Sequence, residues 1–241
     1  KLYYAPMAPN PDRVRFFLQE KGIWDQTPKT ELNIIKQEHR QPAYLALSPL
    51  GHVPALELDD GTVLTESRAI CTYIEAINPE PNLMGADGKE RAVIEMWDRR
   101  VELTYMFQIA GWFRNSHPAM AELEKPQSAE WSQICQGRAR ERAAYFNERL
   151  GVSPYVAGDR FTIADITLHV AMGFGRVVKF RPWEEHPNLA AWRERVIADR
   201  GGGVVTMSML RKAQALGFTV LMSLAGGALA SAAAFTKSGP L

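Results

Sequence analysis

The chain has 241 residues, of which 46% are hydrophobic, enough for two small domains that each bury a core. Its formal net charge of +1 lacks the basic excess of nucleic-acid-binding proteins, so we expect no nucleic-acid partner. Two cysteines, Cys71 and Cys135, form no CxxC motif, which suits a reducing compartment. Because the sequence opens on a strand pattern rather than a signal peptide, we expect a cytoplasmic protein.

Residues 1–78 predict alternating strands and helices in a βαβ–αββα order. The predicted elements are Lys1–Tyr4, Pro11–Lys21, Lys29–Leu32, Pro42–Leu47, a hairpin that follows Pro54, and a helix over Glu66–Ile77. This order is that of a thioredoxin-like domain.

Residues 79–88 contain the helix breakers of a linker, and residues 89–200 follow a helical pattern. The predicted helices are Glu90–Ser116, Ser128–Leu150, Thr162–Phe180 and Pro187–Ala198. The fold class is therefore α/β plus all-α, a thioredoxin-like domain followed by an all-helical domain. Thr162 and Asp165 have the spacing of a capping box, which favours a structural role for Asp165 over a catalytic one.

The segment that contains Val53 and Pro54 carries the strongest functional signal. Pro54 can open a strand because it need not donate to the ladder, and an X-Pro bond in a turn can be cis. A cis bond would turn the Val53 amide and carbonyl outward, where a peptide ligand could pair with them as an added strand. A helix beginning near Glu66 would direct free N–H groups, and the Ser67 hydroxyl, at a ligand carboxylate. Alternatively, Glu66 and Ser67 only stabilise the helix start.

These motifs, together with Lys1–Tyr4, Arg13–Leu18 and Phe161–Ile166, resemble the cytosolic glutathione S-transferase family over roughly residues 1–200. The resemblance implies a homodimeric transferase that uses glutathione as co-substrate, needs no metal and acts on a small electrophile. The residues implied to bind glutathione are His39, His52, Val53, Pro54, Glu66 and Ser67. The two histidines, with other side chains of Lys36–Gln41, are candidates for the glycine carboxylate. The resemblance implies that the main chain of Val53, held before Pro54, pairs with the cysteinyl unit. It also implies that Glu66 and Ser67 bind the ammonium and carboxylate of the γ-glutamyl unit.

Most members of that family aim a Tyr, Ser or Cys at the sulfur from the loop after the first strand, but Ala5–Asp12 contains none of these. Asn10 is the one side-chain amide in this loop, and its NH₂ could donate to a thiolate without ionising. Asn10 followed by Pro11 also fits a helix N-cap.

Because it lacks this Tyr, Ser or Cys, the chain resembles an atypical bacterial and yeast subgroup of the family. In that subgroup, polar side chains on the first long helix of the second domain are implied to activate the thiol through a water molecule. Ser116 and His117 occupy the corresponding place, although His117 before Pro118 is also explained as a helix terminus. The implied function is activation of the glutathione thiol for conjugation or disulfide exchange. The alternative is a non-catalytic glutathione-binding or interaction module of the same fold.

Two further regions have open assignments. Aromatic and apolar side chains of the helical half are candidates to bind the electrophile: Tyr105, Met106, Phe107, Trp112 and Phe113.

The atypical tail, residues 201–241, contains an uncharged stretch over residues 213–236 that is long enough to span a bilayer. A membrane anchor, a displaced reading frame and a docked helix all fit this stretch, and membrane contact is expected only in the first case.

Overall fold

The computed structural model describes residues 1–199, and a four-stranded sheet forms the centre of the first half. Its strands are β1 (Leu2–Tyr4), β2 (Lys29–Glu31), β3 (Ala55–Glu57) and β4 (Val63–Thr65). The spatial order is β2-β1-β3-β4, with β1 parallel to β2 and the other pairs antiparallel. The parallel pair requires a crossover connection, and a helix provides it.

The helices of this half are α1 (Pro9–Glu20), the single turn α2 (Pro42–Leu45) and α3 (Ser67–Ile77). Helices α1 and α3 pack together and bury apolar side chains that recur at helical spacing, among them Val14, Phe17, Ile70 and Ile74. This arrangement confirms the predicted thioredoxin-like half.

Five further helices follow within the described residues: α4 (Gly88–Val101), α5 (Phe107–Ser116), α6 (Ala129–Gly151), α7 (Ile163–Gly175) and α8 (Pro187–Asp199). Between α4 and α5 the residues Glu102–Met106 form a π-helical segment, so the single helix predicted here has an interrupted hydrogen-bond pattern. Helices α5 and α6 approach closely because Gly111 lacks a side chain: a Cβ there would lie 2.6 Å from the Cys135 sulfur.

Helix α7 joins the two halves because it packs against both α1 and α4, and most of its residues are buried. Its capping box is confirmed: the Asp165 carboxylate accepts from the Thr162 amide at 3.0 Å and from the Thr162 hydroxyl at 3.1 Å. It also accepts from the Val156 amide at 2.9 Å and from Trp192 Nε1 at 3.0 Å. Asp165 therefore organises the base of the helical half, as its capping pattern indicates.

Helix α7 ends earlier than predicted. It stops at Gly175 rather than Phe180, because the Phe180 amide turns back to donate to the Gly175 carbonyl at 2.9 Å. A Cβ on Gly175 would lie 3.0 Å from the Phe180 carbonyl oxygen, so a side chain there would crowd this turn.

Residues 1–192 form one compact unit. The boundaries predicted at residues 78 and 88 stay predictions, and the tail 201–241 lies outside the described residues. Within residues 1–199, no helix combines the length and the apolar character needed to cross a membrane.

Candidate functional site

Glu66 lies at the junction between β4 and α3, in an unusual backbone conformation with φ 65° and ψ 113°. Left-handed φ values cost energy in residues other than glycine, and such strain is concentrated at functional sites. The side chain is exposed, and no residue within 1–199 forms an ion pair or hydrogen bond with its carboxylate. Helix α3 begins one residue later, at Ser67. A strained backbone thus presents a free carboxylate beside the N–H groups of a helix start.

Val53 precedes β3 and is linked to Pro54 by a cis peptide bond. Its main-chain N–H and C=O have no hydrogen-bond partner in the part of the chain that the structure describes. Because Ala55 pairs with Thr65 in the antiparallel ladder, Val53 and Ser67 each lie two residues beyond this pair, at the same end of the hairpin. The free main-chain N–H and C=O of Val53 and the free carboxylate of Glu66 therefore lie at one end of the sheet.

The hydroxyl of Ser67 is buried, with 4% of the residue exposed, and it hydrogen-bonds within the protein. It accepts from Arg13 Nη1 at 3.1 Å and donates to Asn10 Oδ1 at 3.4 Å. The same Arg13 nitrogen pairs with Glu102 Oε1 at 2.9 Å. Sequence reasoning missed Arg13 as a site residue. The sequence signal that could have identified Arg13 is its position: a charged residue on the apolar face of α1, one turn before buried Phe17.

Asn10 is the second residue of α1, because the helix begins at Pro9 with Ala8 at the N-cap. The expectation that Asn10 caps the helix is therefore wrong, since two prolines at the first turn start the helix earlier. The side-chain Oδ1 of Asn10 accepts from Ser67, which leaves Nδ2 as the free donor of this amide. No acceptor for Nδ2 occurs among residues 1–199.

Ser116 and His117 end α5 and make local hydrogen bonds. The exposed Ser116 hydroxyl donates to the Trp112 carbonyl at 2.8 Å. His117 Nδ1 accepts from the Ala119 amide at 3.2 Å and so caps a short 3₁₀ turn. In the described chain, no side-chain hydrogen bond joins these two residues to the Asn10 and Ser67 pair. Any role in thiol activation would require an intervening group.

The two candidate histidines differ in burial. His39 is buried in a 3₁₀ turn (Glu38–Arg40), its Nδ1 has no partner within residues 1–199, and His52 is exposed. Burial lowers the pKa of His39, and the neighbouring Arg40 and His52 side chains add to this effect. The carbonyl of His52 accepts from the Tyr44 hydroxyl at 2.6 Å and so fixes the loop before Val53.

The candidate electrophile-binding side chains divide into two groups. Tyr105 and Met106 are 0% and 6% exposed and belong to the core, so they are not available to a substrate. Phe107 is 56% exposed, and Trp112 and Phe113 are half-buried. The π-helical segment thus contributes core packing, and the surface-facing aromatic residues follow it.

The protein's own thiols are unsuited to nucleophilic chemistry. Cys71 and Cys135 are free and buried. Burial raises the pKa of Cys71 to about 12 and also raises the pKa of Cys135, so neither is a thiolate near neutral pH. No cluster of three or more His, Cys, Asp or Glu side chains suited to a metal occurs among residues 1–199.

The described residues thus form a thioredoxin-like half with free peptide-pairing groups, followed by a helical half. Residues 2–82 match the model of the glutathione S-transferase N-terminal domain, and residues 103–199 match that of the C-terminal domain. Glutathione S-transferase 2 of Saccharomyces cerevisiae is 38% identical over 196 residues, which cover 81% of this chain and 84% of that protein. The chain therefore belongs to the glutathione S-transferase family of enzymes.

Solved structures agree with this assignment. The crystal structure of Gtt2 from Saccharomyces cerevisiae has a TM-score of 0.77 at 38% identity and covers 81% of this chain and 95% of that one. A class Gtt2 transferase of Vibrio parahaemolyticus has a TM-score of 0.70 at 34% identity, with coverages of 82% and 92%. The expected resemblance to an atypical yeast and bacterial subgroup is confirmed.

Proposed function

We propose that this chain binds glutathione at the end of the sheet where Val53 and Glu66 lie. There it lowers the pKa of the glutathione thiol and joins the glutathione sulfur to a small electrophile. The observation that carries the proposal is the set of free ligand-type groups at this one end. These are the main-chain N–H and C=O of Val53 and the carboxylate of Glu66, all without partners among residues 1–199. Their chemistry matches a tripeptide with a free ammonium group.

In this proposal Val53, held before Pro54, pairs with the cysteinyl unit of glutathione as an added strand. The Glu66 carboxylate binds the γ-glutamyl ammonium. Ser67 contributes its main-chain amide at the positive end of α3, because its hydroxyl proton already goes to Asn10. One end of the tripeptide is thus bound by charge and its middle by backbone pairing.

The glycine carboxylate would lie toward His39 and His52. The lowered pKa of His39 makes this residue a neutral hydrogen-bond donor near pH 7. The unpartnered Nδ1 of buried His39 supports a role in ligand binding, because unsatisfied buried polar atoms are costly.

Thiol activation is assigned first to Asn10. Its Nδ2 donors are free among the described residues, and it lies in the first turn of α1, whose positive end favours an anion. A hydrogen bond from a neutral amide to the thiolate would stabilise the ionised sulfur. Ser116 and His117 remain the alternative, acting through a water molecule.

The reaction is attack of the thiolate on an electrophilic carbon, which forms a carbon–sulfur bond as the leaving group departs with its electron pair. With a disulfide as electrophile, the same thiolate attacks one sulfur and releases the other as a thiolate. Exposed Phe107, with half-buried Trp112 and Phe113, would bind apolar parts of the substrate. We propose a cytoplasmic homodimer as the working form.

The test is a pH titration of the ultraviolet thiolate absorbance of glutathione bound to the full chain, combined with turnover of an activated aryl halide. A bound thiol pKa well below that of free glutathione, with turnover, is the expected result. Saturable binding with an unshifted thiol pKa and no turnover would instead support a non-catalytic binding module. Absence of binding would overturn the proposed site.

A further inference from the structure

Arg13 is the most completely buried cation near the proposed site, with 0% of its surface exposed. Through the single nitrogen Nη1 it donates to the Ser67 hydroxyl and pairs with Glu102. Those residues lie at the start of α3 and in the π-helical segment, respectively. Arg13 therefore connects three elements, one of which belongs to the helical half.

Helix packing alone does not explain this arginine. Its Nε and Nη2 atoms are buried and have no acceptor in the described part of the chain. Burying a guanidinium group costs several kcal/mol, and apolar residues of similar volume are often as stable or more stable at such positions. The retained charge therefore points to a task other than stability.

Lys21, at the other end of α1, provides an instructive contrast. Its Nζ pairs with Glu75 at 2.5 Å and donates to the Pro81 carbonyl at 2.7 Å. Like Arg13 it is a buried cation that links α1 to α3 and to a more distant segment. Lys21 is far along the helix from Asn10, so it performs the bridging without any connection to the proposed site.

The hydrogen bond from Arg13 determines the direction of the hydrogen bonds that its neighbours make. Because the Ser67 oxygen accepts from Arg13, its own proton is available to donate to Asn10 Oδ1. That contact in turn uses the oxygen of the Asn10 amide and leaves its N–H groups free. The series Glu102, Arg13, Ser67, Asn10 is thus an ordered set of donors and acceptors in which the last member presents N–H groups.

We propose that Arg13 is a positioning residue for the thiol chemistry. It holds the Ser67 hydroxyl, and through it the Asn10 amide, in the orientation that places N–H donors toward the sulfur. Glu102 anchors the arginine to the helical half. This inference rests on the proposed function and adds to it a residue that does not itself contact glutathione. Loss of Arg13 should therefore raise the bound thiol pKa more than it weakens glutathione affinity.

The experiment compares Arg13→Met with Lys21→Met in the full chain, since each removes one buried cation that bridges from α1. For Arg13→Met we expect the bound thiol pKa to rise by about one unit, which corresponds to about tenfold less thiolate, and a similar loss of kcat, at pH values below both thiol pKa values. Glutathione Kd should change less than kcat. Lys21→Met should lower Tm while leaving the bound thiol pKa at the wild-type value.

Two conservative variants cover the case in which Arg13→Met does not fold. Arg13→Lys keeps a cation that can reach one of the two partners, and Glu102→Gln keeps an acceptor but weakens the anchor. Both should give a bound thiol pKa between those of the wild type and of free glutathione.

The wild-type titration separates the two proposals. An unshifted thiol pKa in the wild type would overturn the proposed function itself. A lowered wild-type pKa that stays unchanged in Arg13→Met, or in both conservative variants if Arg13→Met is unfolded, would overturn the role of Arg13 alone.

Discussion

Asn10 Oδ1 and the Ser67 hydroxyl lie 3.4 Å apart, although 57 positions separate the two residues along the chain. The contact joins the first turn of α1 to the start of α3, the two helix N-termini at the proposed site. Since both helices present positive ends, an anionic ligand bound there is favoured by both. The orientation of the Asn10 amide is therefore a tertiary property that can be tested directly.

Replacing Asn10 by alanine should lower kcat by about tenfold or more with little change in glutathione Kd. A hydrogen bond to a charged group contributes about 1.5–3 kcal/mol, and this one would form with the thiolate. Asn10→Asp should be worse, because a carboxylate offers no donor and repels the thiolate. Steady-state kinetics and the thiolate titration measure both effects; wild-type kcat in both variants would exclude Asn10 from thiol activation.

Glu66→Gln should weaken glutathione binding by about tenfold or more while kcat at saturating glutathione is retained. The change removes the charge that would pair with the γ-glutamyl ammonium group, an interaction of about 1.5–3 kcal/mol when it is a charged hydrogen bond. Calorimetric titration gives the affinity. Glu130→Gln, in the first turn of α6, is a matched control and should bind normally. Equal affinity in both variants would remove Glu66 from the site.

Glu66→Gly should raise the free energy of unfolding by about 1 kcal/mol, even though it abolishes the same ligand contact. Glycine adopts positive φ values without the steric cost that Glu66 bears at φ 65°. Chemical denaturation of the unliganded protein measures this change. A less stable glycine variant would mean that the glutamate conformation is not strained.

The double variant Ser116→Ala with His117→Asn tests the alternative activators. Asparagine keeps a side-chain acceptor for the Ala119 amide, so the cap is retained while the imidazole is lost. If these residues act through a water molecule, kcat should fall at unchanged glutathione Kd. Because Ser116 is exposed, Tm should change little. Full activity in this variant, beside an impaired Asn10→Ala, would leave Asn10 as the activating residue.

Asp165 should give the protein a measurable pH dependence of stability. Burial raises the pKa of Asp165 to about 6, even though four hydrogen bonds to the carboxylate favour ionisation. An unfolded chain releases this proton near pH 4, but the folded protein keeps it until near pH 6. The group's contribution to the free energy of unfolding therefore decreases as pH rises through this window.

Denaturation curves of wild type and Asp165→Asn between pH 4 and 7 measure this contribution, since their difference cancels the other titrating groups. We expect the difference to decrease with rising pH up to about 6 and then to become constant. A difference that grows over this range would show that the hydrogen bonds outweigh burial. Trp192→Phe, which removes one donor, should cost about 1 kcal/mol and serves as the milder control.

Local sequence signals were sufficient for most of the fold. The order of strands and helices follows from alternation and helical spacing, and the capping box of Thr162 and Asp165 is confirmed because a cap depends on residues close in sequence. The predictions that failed concern positions where two sequence signals competed. Pro9 and Pro11 both suit a first turn, and the earlier one starts α1, so Asn10 does not cap it.

By itself the sequence determined the two-part architecture, the family and the candidate segment around Val53 and Glu66, because these depend on periodicity, turn residues and motifs read along the chain. Only the tertiary structure decided that the Ser67 hydroxyl is enclosed between Arg13 and Asn10, and that Glu102 reaches the same cluster. Burial and hydrogen-bond direction arise from packing between distant segments. The role of a buried charge such as Arg13 therefore depends on contacts between the two halves of the structure.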